Sequence, residues 1–433
     1  MMEHKQTLIS QIILGAIERA PRNFDNLIEL CHSLFPDELQ TVLDGMVSDM
    51  LIGKMDDEYT LNSSSLKRWT KIQIDWQENL DRSHKALIDI MDRIHLPHCL
   101  DYEWWFTHTS REDLSYRIVN QNPLPVPHTI AFLGSPLLGA FLSLLVPETE
   151  IYILDKSKAT LDTISKSLNL RRLHLVHYDA ENPLPNDLIG IAQMVFFDPP
   201  WYEDYYKLFL RRSMQLSYGN YSMIAIVLFP ILTRPTSLQE RKRVLETAMS
   251  YGLSVVDIEP RVAHYLTPRF EYESLNKKGI SVKNWRKGDL VLFLSDGGCL
   301  PENIAIRVEQ FQWKEAIIGK VKVKVKIKEE NPNIYIAPVI LTAHGSEAIL
   351  SSVSRRDPFR NEVDLWTSTH RGLKIKGWKA VWKIVEGMQD CVTTTEEMVT
   401  RIKDFYMEVD IPDSVYEDVE KVWTQLRGHI LER

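Results

Sequence analysis

Cysteine is scarce. The 433-residue chain holds Cys31, Cys99, Cys299 and Cys391, far apart and without a C-x-x-C pair. That excludes a zinc framework and a disulfide scaffold, and it fits a reducing cytoplasm. An excess of positive charge is also lacking. Lys and Arg number 51 against 59 Asp and Glu, for a formal net charge of -8. Proteins that live on non-specific phosphate contacts are normally basic, so nucleic acid is not an expected partner. No unbroken apolar span is present either. The segment from Thr129 to Val146 carries no charge, but Gly134-Ser135-Pro136 interrupts it, which a membrane-spanning helix would not tolerate. Met1-Met2-Glu3-His4-Lys5-Gln6 leads directly into an amphipathic pattern, so no export leader is expected. What is there is ordinary globular material, 44% hydrophobic and 25% charged. Such proportions rule out a disordered or collagenous chain, and the length suits two to four domains.

The spacing predicts a small winged helix over residues 1–65. Leu8, Ile12, Ile13 and Ala16 share one helical face, and Pro21 ends that helix. A second helix is expected over 24–34 and a third from Pro36, with Leu39, Val42, Leu43, Met46, Val47 and Met50 as its apolar side. Leu51–Met55 and Tyr59–Leu61 then read as a hairpin wing. The third helix carries Asp37, Glu38, Asp44 and Asp49 but no Lys or Arg, so a packing or homodimerisation role is favoured over DNA reading.

Residues 66–118 read as a linking helix that ends near Pro97, followed by an irregular aromatic segment. Residues 119–298 then alternate apolar strands with helices. Strands are expected at 129–133, 151–154, 174–177, 193–197, 221–229, 253–258 and 289–294, with helices at 137–145, 158–168 and 238–250. Solid Val/Ile/Leu strands between helices point to an α/β class with a mostly parallel, doubly covered sheet, and a final antiparallel strand would suit the Rossmann-like sheet of class I methyltransferases. Residues 299–433 form a separate α+β region. Lys320, Lys322, Lys324, Lys326 and Lys328 alternate there with Val321, Val323, Val325 and Ile327, as on a strand with one lysine face. Further strands are expected at 333–341 and 363–367. Helices follow at 377–388, 395–407 and 414–430, the last two opened by the capping boxes Thr394-x-x-Glu397 and Ser414-x-x-Glu417.

Chemistry concentrates at Asp198-Pro199-Pro200-Trp201-Tyr202, at the carboxyl end of a buried strand. In a doubly wound sheet that edge binds ligands. An Asp carboxylate and the Pro199 carbonyl can accept N–H bonds from an amine and aim its lone pair. The aromatics Trp201 and Tyr202 can wall the acceptor and stabilise the cation formed on alkylation. Gly134 and Ser135 follow the first strand, Asp155 ends the second, and Asp179 with Ala180 follows the third. In this order they read as an adenosyl-sulfonium site, with Asp155 on the ribose hydroxyls and Asp179 within reach of the adenine amino group. Gly134-Ser135-Pro136-Leu137-Leu138-Gly139 is a poor G-x-G-x-x-G, so a non-catalytic Rossmann scaffold stays open as an alternative. No metal is expected.

With these residues in view, the chain resembles the branched-chain polyamine synthases, N4-bis(aminopropyl)spermidine synthases, from about residue 100 to 298 and more loosely over the winged helix. The resemblance rests on the segment from Asp101 to Leu114, on Ile130-Ala131-Phe132-Leu133-Gly134, on Asp179 to Leu188 with its Asn182-Pro183-Leu184-Pro185, and on Phe197-Asp198-Pro199-Pro200. It implies S-adenosylmethionine or its decarboxylated form as co-substrate and a polyamine acceptor. The family follows its first glycine with a run of aspartates, where Ser135-Pro136-Leu137 stand here. Losing those carboxylates removes attraction for a cationic amine, so the acceptor can have changed, a peptide included. Glu271 and Glu273, in the loop expected after Pro268, are candidates for replacement charge on the substrate. The tail from Gly377 onward resembles a PqqD-type domain, or RiPP recognition element, which holds a leader peptide as an added strand. With the lysine face, it suggests selection of an acidic peptide. An N-methyltransferase, one on DNA amino groups included, is the alternative within the same fold.

Overall fold

The computed structural model describes residues 9–10, 12–14, 16–17, 20–31, 34–49, 51–61, 79–120, 129–217, 222–297, 300–331, 334–342, 349–406, 409 and 411–431. Leu8, Met50, residues 66–78 of the expected linking helix, Tyr221 and Cys299 lie outside these. Among the described residues no helix is long and apolar enough to cross a membrane.

The chain divides into two compact units, and neither is continuous in sequence. The first comprises 1–92, 106–264 and 287–306, the second 93–105, 265–286 and 307–433. The single cuts expected near 118 and 298 therefore differ from the observed partition.

The first unit opens with helical residues 9–10, 12–14 and 16–17 (α1), β1 (Arg22–Asn23), α2 (Phe24–Leu30), α3 (Pro36–Ser48), β2 (Ile52–Met55) and β3 (Glu58–Leu61). The strands form an antiparallel sheet in the order β1-β3-β2. Ile13, Leu27, Leu39 and Leu43 are fully buried in one core beneath it. Asn23 caps α2, its side chain accepting from Asn26 N–H at 2.9 Å.

Helical residues 79–93 (α4) and α5 (His108–Asn120) precede the main sheet. Residues 108–118 were expected to be irregular. Instead Leu114 and Ile118 (i, i+4) are fully buried on one side of α5, and Ser110 anchors its first turn to the sheet. The main elements are β4 (Thr129–Leu133), α6 (Pro136–Leu145), β5 (Glu150–Asp155), α7 (Lys158–Ser167), β6 (Leu173–His177), β7 (Met194–Phe197), α8 (Glu203–Leu216), β8 (Met223–Leu228), α9 (Ser237–Ser250) and β9 (Leu253–His264). After α10 (Arg269–Asn276), which belongs to the second unit, β10 (Lys287–Ser295) completes the sheet.

The seven strands lie in the order β6-β5-β4-β7-β8-β10-β9. The first five are mutually parallel, and β10 runs antiparallel to both β8 and β9. Every residue of β7 and β8 is buried, as a sheet covered on both faces requires. In order of sequence the strands are arranged 3-2-1-4-5-7-6 with the seventh reversed. This is the Rossmann-like class I methyltransferase fold.

In the second unit, β11 (Trp313–Ile318), β12 (Val321–Lys326), β13 (Val339–Thr342), β14 (Leu365–Thr367) and β15 (Gly372–Lys376) form an antiparallel sheet in the order β11-β12-β14-β15-β13. The helices α11 (Trp378–Gln389), α12 (Thr395–Phe405) and α13 (Val415–Leu431) pack with it around Val323, Val325, Leu373, Val381 and Ile402. Thr394 caps α12 as expected, accepting from Glu397 N–H at 3.2 Å. Gly377, with φ of 62°, starts α11, and a Cβ there would stand 2.4 Å from Ile336 O. Only glycine fits that position.

The lysine strand is not what its alternation suggested. β12 lies between β11 and β14, and Lys322, Lys324 and Lys326 are buried. Lys322 Nζ is 2.7 Å from Asp101 and 3.4 Å from Glu103, while Lys324 pairs with Asp101 and, at 3.2 Å, with Glu315. Burial works against the charge of Lys322, but Asp101 and Glu103 outweigh it and hold the amine above the usual lysine range. These cations are neutralised within their own unit, so they do not form a basic face for an acidic peptide or for DNA.

Candidate active site

Parallel register brings the sequence-predicted donor residues to one edge of the sheet. Leu133 of β4 stands opposite Leu154 of β5 and Phe197 of β7, and Asp155 stands opposite His177 of β6. Asp155 therefore ends β5 on the carboxyl side, and Gly134, Asp179 and Asp198 follow the carboxyl ends of β4, β6 and β7. Between β4 and β7 the strand order reverses, and a doubly wound sheet opens its ligand crevice at that switch point.

Gly134 has φ of 71° and donates its N–H to Leu154 O at 2.9 Å. That left-handed turn lets the chain leave β4 and start α6 at once. Ser135 is buried, and among the described residues its Oγ has no hydrogen-bond partner. A buried hydroxyl at the start of α6 with an unused hydrogen-bonding capacity is compatible with a polar ligand at this edge. The glycine motif is only partly degenerate. A Cβ on Gly139 would stand 2.8 Å from Ile153 and 3.0 Å from Phe132, so this glycine serves close packing of α6 on the strands. The middle glycine of a dinucleotide motif, which admits a diphosphate, is Pro136 here. An adenosyl sulfonium has no diphosphate and does not need it.

Asp155 is half-buried, and its Oδ1 accepts from Ser157 N–H at 2.7 Å, shaping the turn into α7. Asp179 Oδ1 likewise accepts from Glu181 N–H at 2.9 Å. The segment after β6 is held by a buried arginine that sequence reasoning missed. Arg212 donates to Ala180 O at 2.9 Å, to Gln215 Oε1 at 2.9 Å, to Asn303 Oδ1 at 3.2 Å and to Ile304 O at 2.6 Å. Asn303 closes the knot, accepting from Leu184 N–H at 2.7 Å and donating to Leu184 O at 2.8 Å. The Asn182-Pro183-Leu184-Pro185 segment thus docks residues 300–306 onto the main sheet's unit. Tyr178 O–H donates to Asn182 O at 2.8 Å, and burial pushes its phenol up to about 12.

Around Asp198, the Pro200 carbonyl accepts from Tyr202 N–H at 2.6 Å, whereas the Pro199 carbonyl makes no backbone hydrogen bond among the described residues. Trp201 and Tyr202 are half-buried, and the Trp201 ring lies 6.5 Å from that of Phe229 at the end of β8. Beneath them, Tyr206 O–H donates to Val227 O at 2.8 Å. Burial, reinforced by the Asp198 charge, raises the Tyr206 phenol well above its ordinary value. Arg234 was also missed. Its guanidinium lies 4.3 Å from the Phe229 ring centre and 5.7 Å from that of Tyr202, and it is anchored by Glu240. An arginine after a strand end has no local signature, and only the fold brings it over Tyr202.

Glu271 and Glu273 lie on α10, not in a loop, and belong to the second unit. Glu271 is buried, with Oε1 2.7 Å from Arg286 and Oε2 accepting from Trp104 Nε1 at 3.0 Å. That carboxylate is engaged in its own unit. Glu273 stands 3.6 Å from Arg269, one turn back on the same helix.

No family model matches the chain, and no curated protein does. Among solved structures, the branched-chain polyamine synthase from Thermus thermophilus, in complex with N4-aminopropylspermidine and 5'-methylthioadenosine, aligns over 70% of this chain and 91% of its own. The identity is 13% and the TM-score 0.47. A putative RNA methyltransferase from Pyrococcus horikoshii aligns over 49% of this chain and 98% of its own, at 11% identity and a TM-score of 0.36. The fold assignment rests on the strand order and not on these likenesses.

Proposed function

We propose that the protein is a transferase that moves an alkyl group from an adenosyl sulfonium to an amine nitrogen. The observation that carries this reading is the Asp198-Pro199-Pro200-Trp201 turn beside the reversal of strand order, with Gly134, Asp155 and Asp179 along the same edge. When bound, S-adenosylmethionine or its decarboxylated form supplies an alkyl carbon open to displacement. Asp155 grips the ribose hydroxyls, Asp179 serves the adenine amino group, and Gly134, Ser135 and Ala180 complete the donor cradle. Asp198 and the Pro199 carbonyl accept N–H bonds from the acceptor and direct its lone pair. Trp201 and Tyr202 wall the acceptor, and the face of Trp201 stabilises the developing ammonium. Arg234 over Tyr202 and Phe229 leaves that part of the wall less attractive to a second cation. Polyamines are the acceptor class implied by the sequence resemblance. The test is incubation of spermidine with each donor, read by intact mass. Gain of an aminopropyl, methyl or aminocarboxypropyl group supports transfer and names the group, whereas no product with amine acceptors from either donor overturns it.

A further inference from the structure

A second cluster lies in the first unit, where α4 meets the first turn of α5. The ligand atoms of His84, His108 and Glu112 all lie within 4.8 Å of one another. His108 and Glu112 are four residues apart on α5 and so share a face. His84 Nε2 is bonded to Glu112 Oε1, and His108 Nδ1 stands 3.7 Å from the same oxygen. The imidazole rings stack with centroids 3.4 Å apart and 19° between planes. Phe141 closes the inner side, 4.7 Å from the His84 ring.

Several features separate this group from an ordinary surface cluster. The donor atoms come from two helices, and the set mixes two imidazoles with a carboxylate. Its position is fixed on both sides. The His84 side chain is only 9% exposed, and the start of α5 is pinned to β9. That pinning comes from Thr107 N–H to His264 O at 2.8 Å and from Ser110, which donates to Val262 O at 3.2 Å and accepts from His264 N–H at 2.9 Å. Exposure then rises across the set, to 32% for the Glu112 side chain and 50% for His108. One side of the cluster therefore faces water.

We propose that His84, His108 and Glu112 bind one divalent transition-metal ion, of which Zn²⁺ is the type, with a further coordination position open to solvent. Two imidazole nitrogens and one carboxylate oxygen suit Zn²⁺ and its neighbours rather than Mg²⁺ or Ca²⁺, which demand oxygen. Bonds of about 2.0–2.1 Å place tetrahedral ligand atoms about 3.3–3.5 Å apart, closer than the 4.8 Å span of this set, and the stacked rings must turn out of parallel for both nitrogens to meet one ion; binding therefore requires rotation of the half-exposed His108 ring and of the Glu112 side chain. The ion would join α4 to α5 and stabilise the folded state by mass action.

Full-length protein stripped with a chelator and then titrated with Co²⁺ tests this directly. Binding of one equivalent, with the visible absorption of a low-coordinate Co²⁺ site and displacement by Zn²⁺, is expected. His108→Ala, at an exposed position, and Glu112→Gln, which keeps an acceptor for His84, should each weaken uptake at least about tenfold. Zn²⁺ should also raise the melting temperature of the parent protein but not of the double variant. Absence of stoichiometric uptake would overturn the assignment. So would Co²⁺ spectra that are unchanged in the double variant, since the ion would then sit on other ligands such as the exposed Cys391.

Discussion

Replacing Asp155 by asparagine isolates charge from shape. The Asp155 Oδ1 bond to Ser157 N–H, 2.7 Å long, builds the turn between β5 and α7, and an amide oxygen can still accept it. The Asp155→Asn protein should therefore keep its fold, whereas Asp155→Ala should also lose a few degrees of melting temperature. What asparagine cannot supply is the negative charge behind two bonds from ribose hydroxyls. Hydrogen bonds to a charged partner contribute about 1.5–3 kcal/mol and neutral ones about 0.5–1.5. The difference over two bonds is about 2–3 kcal/mol, or roughly 30- to 150-fold in Kd. Titration calorimetry with 5'-methylthioadenosine, which carries the ribose and no amino-acid tail, reads this value. A Kd for Asp155→Asn within twofold of the parent protein would refute the reasoning, because no ribose could then rest on this carboxylate.

Asp198→Ala should lower turnover by about 10²- to 10³-fold while nucleoside affinity stays within threefold, as measured by single-turnover kinetics beside calorimetry. Arg212→Met removes the donor to Ala180 O and Ile304 O and leaves buried carbonyls unpaired, at a cost of about 1–3 kcal/mol each. Denaturant melts should show that loss, and hydrogen exchange should rise across residues 300–306. An unchanged midpoint would mean the knot is not structural. Burial lowers His370 to about 4, so the folded state keeps it neutral while the unfolded chain protonates it near 6.5. Protonation thus favours unfolding. The stabilisation is complete above pH 6.5 and declines as pH falls toward 4, by about 2 kcal/mol between pH 8 and pH 5. Urea midpoints at those two pH values should differ less in His370→Leu than in the parent protein, and an equal pH dependence would contradict the assignment.

Most of the central sheet was legible because parallel strands buried on both faces are written as continuous apolar runs, as in Met194–Phe197 and Met223–Leu228. The candidate site was legible where chemistry and strand end coincide within a few residues, as at Asp155 and Asp198. What escaped depends on partners far away in sequence. Lys322 and Lys324 read as a solvent face because nothing local announces Asp101 and Glu103. Period-two alternation reports two different faces, not which of them meets water. Glu271 read as free charge because Arg286 and Trp104 are its partners only in the folded chain. The helix His108–Asn120 was hidden by an aromatic segment before it and by polar residues within it. Arg212 and Arg234 belong to the same class, since their roles lie in carbonyls and rings that the fold assembles around them.

The most direct test of the central claim follows the new bond itself. With a donor carrying ¹³C at the transferable carbon and spermidine carrying ¹⁵N, the product of the parent protein should show one-bond ¹³C–¹⁵N coupling by NMR. Asp198→Ala should yield almost none in the same time. A product whose ¹³C is attached to oxygen or carbon, or equal coupling from the Asp198→Ala protein, would contradict amine alkylation directed by that carboxylate.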